Sequence, residues 1–226
     1  MNRLHGGNIY DDHFKALAEA GKLLDFSANI NPLGMPESVR EAVVRSLADA
    51  VHYPDPRCRK LRKRLALEYG LTEENFLCGN GGADLIYRLA YALRPKRALL
   101  TAPTFAEYEE ALKQTGTECL FYRMQEDLEI RYDILEQMDE SVDVLFLCNP
   151  NNPTGLLIQP DLLRRVLAKA VGCRTLLVLD ECFLDFTGQE ERSLISYIEE
   201  TEFLFILKSF TKMYAMPGIR LGYGIS

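Results

Sequence analysis

Histidine is scarce in this chain. Only His5, His13 and His52 occur in 226 residues, and none stands at ligand spacing from another or from a cysteine, so no metal centre is expected. Paired cysteines are absent as well. Cys58, Cys78, Cys119, Cys148, Cys173 and Cys182 form no C-x-x-C motif, and three of them fall inside apolar strand-like runs, which reads as reduced core thiols in a cytoplasmic protein. No run of about 18 apolar residues is present, and the amino terminus carries His5-Gly6-Gly7-Asn8 where an export signal would have a basic and then an apolar segment. Membrane insertion and export are therefore not expected. An excess of positive charge is also missing: 26 Lys and Arg against 33 Asp and Glu leave a net charge of -7, which gives no attraction for nucleic acid. The densest basic run, Arg57 to Arg64, sits on an expected helix and reads as a solvated face. Repeats, low-complexity segments and flexible linkers are lacking too.

What remains is an ordinary globular composition, 47% hydrophobic and 26% charged, long enough for one large domain or two small ones. From Asn75 onward, short apolar runs alternate with amphipathic stretches, the signature of strands joined by crossover helices in a parallel sheet. The runs are Phe76 to Cys78, Arg97 to Thr101, Cys119 to Tyr122, Val144 to Cys148, Leu176 to Leu179 and Phe203 to Leu207. Most are apolar throughout, as strands covered on both faces should be. Leu85, Ile86, Leu89, Ala90 and Leu93 recur at helical spacing and stop before Pro95; Leu162, Leu163, Val166 and Leu167 do so after Pro160. The first 40 residues differ. They offer a helix from Asp12 to Ala20, a turn at Asn29 to Gly34 rich in Pro, Asn and Gly, and a further helix opened by Pro36.

Four segments carry chemistry. Ser209-Phe210-Thr211-Lys212 places a lysine just past an apolar strand, with Arg220 eight residues later. An amine at such a place can condense with an aldehyde, and hydroxyls with an arginine can hold a phosphate. Leu177-Val178-Leu179-Asp180 ends another strand in a carboxylate, where open α/β sheets put their ligands; an aspartate there can pair with a protonated pyridine nitrogen. Asn149-Pro150-Asn151-Asn152-Pro153-Thr154-Gly155 follows a third strand and offers an amide donor. Cys78-Gly79-Asn80-Gly81-Gly82-Ala83-Asp84 joins a strand to a helix, so its backbone N–H groups and the helix's positive end suit an anion. As a dinucleotide fingerprint it fails, because an aspartate stands where the third glycine belongs.

In this order and at these distances, the segments resemble the fold-type I pyridoxal 5'-phosphate family that contains aspartate aminotransferase. The likeness is greatest to its threonine-phosphate decarboxylase and histidinol-phosphate aminotransferase branch. The resemblance implies a three-layer α/β/α large domain with a mainly parallel sheet over residues 41–226. Residues 1–40 would belong to the small domain and the substrate entrance. The carboxyl-terminal part of the small domain would be missing, since the chain stops at Ser226 within an apolar run. Position by position, Lys212 would hold the cofactor covalently, Asp180 would face the pyridine nitrogen and Asn152 the ring hydroxyl. Gly82, Ala83, Ser209 and Arg220 would cradle the phosphate, and Tyr108 would stack on the ring. Tyr53 would reach the neighbouring subunit's phosphate, which implies a homodimer with shared sites. His5, Asn29, Asn31 and Asn152 would meet a small phosphorylated amino acid. Phe183 stands where the aminotransferases usually have a tyrosine, and it cannot donate to the ring oxygen. The activity so implied is decarboxylation of O-phospho-L-threonine to (R)-1-amino-2-propanol phosphate for cobalamin synthesis. A histidinol-phosphate type of transamination and a non-catalytic, cofactor-binding remnant are the alternatives.

Overall fold

The computed structural model describes residues 6–7 and 12–226. Strand β1 (Phe76–Gly79), β2 (Arg97–Ala102), β3 (Glu118–Arg123), β4 (Val144–Cys148), β5 (Leu176–Asp180), β6 (Leu204–Ser209) and β7 (Gly222–Ile225) build one sheet in the order β1-β7-β6-β5-β4-β2-β3. The central strands are parallel to one another. Every residue of β4 and of β6 is buried, which accounts for the unbroken apolar runs Val144 to Cys148 and Leu204 to Leu207.

Helices cover both faces. Helix α4 (Gly82–Leu93) and α5 (Ala106–Lys113) pack Leu85, Ile86, Ala90, Tyr108, Ala111 and Leu112 against Phe146, Val178 and Leu207. On the other face, α3 (Arg59–Tyr69) and α6 (Pro160–Cys173) meet Leu145, Leu147, Leu177, Leu179, Leu204 and Ile206. The two sets of strand residues alternate, as the pleat requires. Pro160 at the first position of α6 and Arg174 in the left-handed conformation after it mark the helix where the sequence places it. The three-layer α/β/α architecture is thus the one expected.

Two findings go beyond the sequence pattern. The apolar run at Leu221 to Ile225 becomes β7, which enters antiparallel between β1 and β6. In the first part of the chain, α1 (Asp12–Glu19) and α2 (Glu37–Ser46) form, the latter capped by Pro36, yet α2 buries none of its residues. Phe26, Leu33 and Val51 are likewise exposed. None of the described helices is long and apolar enough to cross a membrane.

The candidate active site

Register brings the carboxyl ends of three strands together. Asp180 stands opposite Cys148 on β4 and Leu207 on β6, so the loops that follow β4, β5 and β6 open at one level. There a cavity of about 320 Å³ is lined by Gly82, Ala83, Asn152, Asp180, Lys212 and Arg220. That volume is in the range of pockets that take a small ligand, at its lower end.

Each polar group is fixed by local structure. Asp180 is buried; its Oδ2 accepts from the Tyr108 hydroxyl at 2.6 Å and its Oδ1 from the Cys182 N–H at 2.9 Å. Lys212 lies in the short helix α7 (Phe210–Met213), where its Nζ donates to Thr211 Oγ1 at 3.1 Å and stands 5.7 Å from the centroid of the Phe183 ring. Ser209 caps that helix, accepting from the Thr211 N–H, with the two hydroxyls 2.7 Å apart. Asn151 and Asn152 divide their labour. Asn151 locks the turn through Thr104 Oγ1 at 3.0 Å, the Pro103 carbonyl at 3.1 Å and Thr154 Oγ1 at 3.1 Å, while Asn152 is left to face the cavity.

The expected anion cradle lies at the start of α4. Its first N–H groups lack helical acceptors, Gly82 and Ala83 line the cavity, and the helix's positive end suits an anion there. The Asp84 carboxylate holds the preceding turn by accepting the Asn80 N–H at 3.0 Å. Gly81 has φ +86°, a conformation that favours glycine, and a Cβ there would stand 2.7 Å from Nη2 of Arg220, so a side chain would also displace the guanidinium. On the facing strand, a Cβ at Gly222 would meet the Gly81 carbonyl carbon at 2.9 Å and the Gly82 nitrogen at 3.0 Å. Gly222→Ala is expected to push β7 off the cradle and cost about 1–3 kcal/mol, read from denaturant unfolding, with weaker phosphate binding.

Several residues occupy places that the sequence did not assign. Tyr108 is fully buried, its ring 5.0 Å from that of Phe146, and it supports Asp180 from below instead of lining the cavity; burial foremost, then Asp180, pushes its hydroxyl well above the usual range. The aromatic ring at that wall is Phe105, from the loop that precedes α5. Ser209 is also behind the wall, and the hydroxyl that reaches the cavity belongs to Thr211. Phe105 and Thr211 were legible in one respect, because both follow directly on the carboxyl ends of strands, where ligands of such sheets sit. Asn29 is exposed and does not line the cavity. Asn31 binds at its edge, its N–H donating to the Lys212 carbonyl at 3.1 Å and its Nδ2 to the Met213 carbonyl at 2.9 Å. Tyr53 is fully exposed, in the loop before α3, and is not part of the cavity wall. His5 lies outside the described residues.

Two thiols, Cys148 and Cys182, face the cavity. Burial foremost pushes both well up, with Asp180 adding to the effect. Both should stay neutral and resist iodoacetamide in the folded chain at pH 8, then react on unfolding; peptide mass mapping checks this.

A lysine amine, a buried carboxyl and an anion cradle, gathered at the carboxyl ends of a mostly parallel sheet between two helical layers, define the large domain of a pyridoxal 5'-phosphate enzyme. The cofactor's parts fit these residues: an aldehyde carbon for Lys212, a ring nitrogen for Asp180 and a phosphate for the cradle, within the cavity of about 320 Å³. The chain belongs to the aminotransferase class I and II family, whose model matches residues 21–226. It is 40% identical over 225 residues to the threonine-phosphate decarboxylase of Salmonella typhimurium, covering 99% of this chain and 62% of that protein. Among solved structures it is similar to the histidinol-phosphate aminotransferase from Clostridium acetobutylicum, with TM-score 0.83 and 36% identity, and to the L-threonine-O-3-phosphate decarboxylase from Porphyromonas gingivalis, with TM-score 0.78 and 32% identity. Each likeness covers 90% of this chain and 60% of the other. The chain thus spans about three fifths of the length of these relatives.

Proposed function

We propose that this chain provides the cofactor site of a pyridoxal 5'-phosphate-dependent decarboxylase acting on O-phospho-L-threonine and yielding (R)-1-amino-2-propanol phosphate, in the cytoplasm and for cobalamin synthesis. The observation that carries the reading is the convergence of Lys212, Asp180, Asn152 and Arg220 on one cavity beside the first N–H groups of α4. Lys212 would hold the cofactor, Asp180 its ring nitrogen, and Asn152 its ring hydroxyl. Gly82, Ala83, Thr211 and Arg220 would hold its phosphate.

Bound there, the cofactor supplies a sink for the electrons left on the substrate's α carbon when a bond to that carbon breaks. The chain's own residues do the remainder. Asp180 keeps its orientation through Tyr108 and the Cys182 N–H, so it meets the ring nitrogen without rearrangement. Lys212, whose Nζ stands beside Thr211 Oγ1 at the cavity, would hold the cofactor and is the amine placed to deliver a proton to the substrate's α carbon. Phe105 and Phe183 add apolar rings to walls that also carry Asn152, Asp180 and Arg220. Phe183 offers no donor to the ring hydroxyl, which leaves Asn152 as the side-chain donor on that side.

The 40% identity to the Salmonella typhimurium decarboxylase favours this substrate. A histidinol-phosphate type of aminotransferase is the second reading, favoured by the higher TM-score and identity to that solved structure than to the decarboxylase structure. Residues 1–40 would belong with the small domain and the substrate entrance, Asn31 linking them to Lys212. Tyr53, with Val51 two residues before it and Phe26 and Leu33 also exposed, fits a homodimer in which Tyr53 reaches the other subunit's site. The test compares carbon dioxide release from O-phospho-L-threonine with glutamate-dependent conversion of the cofactor to its amine form. It is run on this chain alone and on the same sequence joined to the carboxyl-terminal region of a relative. Carbon dioxide without amine formation supports the decarboxylase, and amine formation the aminotransferase. Neither activity in either protein, with the cofactor bound, would leave a cofactor-binding remnant.

A further inference from the structure

On the sheet face opposite Asp180, a buried charge cluster lies unused by this chemistry. Glu181 directly follows Asp180 and is 0% exposed; Lys208 directly precedes Ser209 and is 4% exposed. Lys208 Nζ lies 2.9 Å from Asp185 Oδ1 and 3.5 Å from Glu181 Oε2. Glu181 also accepts from Ser193 Oγ at 2.7 Å and from the Leu194 N–H at 3.3 Å. Alternation along β6 sets Lys208 on the side of Leu204 and Ile206, beneath α3 and α6, while Ser209 faces the other way. Across β7, Tyr223 stands opposite Lys208 in the register, and its hydroxyl meets that of Tyr69 at 2.6 Å.

Burial opposes the charge on both groups. For Glu181 it prevails and pushes the carboxyl upward; for Lys208 the nearby Glu181 and Asp185 outweigh it and hold the amine above its usual range. An ion pair so deeply placed adds little net stability compared with apolar residues of the same volume, because its attraction is offset by desolvation. What it supplies is geometry. The last backbone bond joining the two strand ends runs from the Glu181 N–H to the Leu207 carbonyl at 2.9 Å, and beyond it the chains part into separate loops. The ion pair is the next rung past that bond, one residue from Asp180 on one strand and one residue from the cap of the lysine helix on the other.

We propose that Lys208, with Glu181 and Asp185, is a positioning element that fixes the separation between Asp180 and Lys212. The proposal rests on the reading of Lys212 as the residue that holds the cofactor. Its experiment measures the dissociation constant of pyridoxal 5'-phosphate, the visible circular dichroism of the bound cofactor and the melting midpoint. The variants are the charge-neutral pair Lys208→Met with Glu181→Gln, and Lys208→Arg. The neutral variant should melt near the wild-type midpoint yet bind the cofactor at least about tenfold more weakly, with a diminished dichroism band; Lys208→Arg should bind within about threefold of wild type. A neutral variant with wild-type affinity and dichroism, whatever its melting midpoint, would overturn the proposal. Should the neutral variant not fold, Asp185→Asn decides. Its side chain is partly exposed and leaves Glu181 on Lys208, so it should fold and weaken binding about threefold with a diminished band; unchanged binding and dichroism would overturn the proposal. Borohydride reduction of the wild-type chain keeps the two failures apart. No adduct on Lys212 in the wild type would overturn the reading of the site and the proposal with it, whereas a wild-type adduct with unchanged binding in the variants would sink the proposal alone.

Discussion

Incubation with pyridoxal 5'-phosphate followed by borohydride should leave one stoichiometric adduct, on Lys212, and Lys212→Ala should abolish it. The chain has other lysines, but their surroundings differ. Lys208 is engaged by two carboxylates on the far face of the sheet, and Lys60, Lys63 and Lys113 lie on outward helix surfaces. Lys212 alone among the lysines lines the cavity, with an anion cradle a few residues away in space to hold the aldehyde's phosphate during attack. Proximity of that kind is worth several kcal/mol in effective concentration, enough to separate one amine from the rest. Peptide mass mapping reads the outcome directly. Adducts spread over surface lysines, or one that survives in Lys212→Ala, would reject the assignment.

Asp180→Asn should weaken cofactor binding about 100-fold, close to 3 kcal/mol, with little change in folding midpoint. The substitution keeps the side chain's volume and an oxygen that can accept from Tyr108 or the Cys182 N–H, but it removes the charge that would face the ring nitrogen. Tyr108→Phe gives the graded control. It takes away one of the two donors to Asp180 and leaves the charge, so a loss of about fivefold, near 1 kcal/mol, is expected. Titration of cofactor absorbance measures both. Equal losses in the two variants would mean that Asp180 acts through the packing of Tyr108 alone.

How much of this was written in the sequence depends on the kind of signal. Strands buried on both faces announce themselves, because every position must be apolar; Val144 to Cys148 and Leu204 to Leu207 were legible for that reason. Asp180 was legible because a carboxyl closing such a run has no reason to be there in a core. The antiparallel entry of β7 was not, since Gly222-Tyr223-Gly224-Ile225 has the composition of a strand in either direction and only its neighbours decide. Phe105 and Tyr108 are three residues apart on one turn, so their spacing cannot tell which ring meets the cavity and which meets Phe146. The buried cluster at Lys208 was invisible for a different reason: Glu181 and Lys208 are 27 positions apart, and nothing local to either declares the other.

The place of β7 bears on how such a chain comes into being. Gly81 and Arg220 meet at the cradle although 139 residues separate them, and β1 has β7 as its sheet neighbour. A ribosome making the polypeptide from its amino end would release β1 long before the strand that pairs with it, so that edge must wait unsatisfied while the parallel core assembles. Pairings this distant form late and slowly. The nascent chain would therefore acquire its affinity for the cofactor only once β7 has emerged, on the order of ten seconds after β1 at about 5–20 residues per second, and until then would present an open sheet edge of the sort chaperones shield.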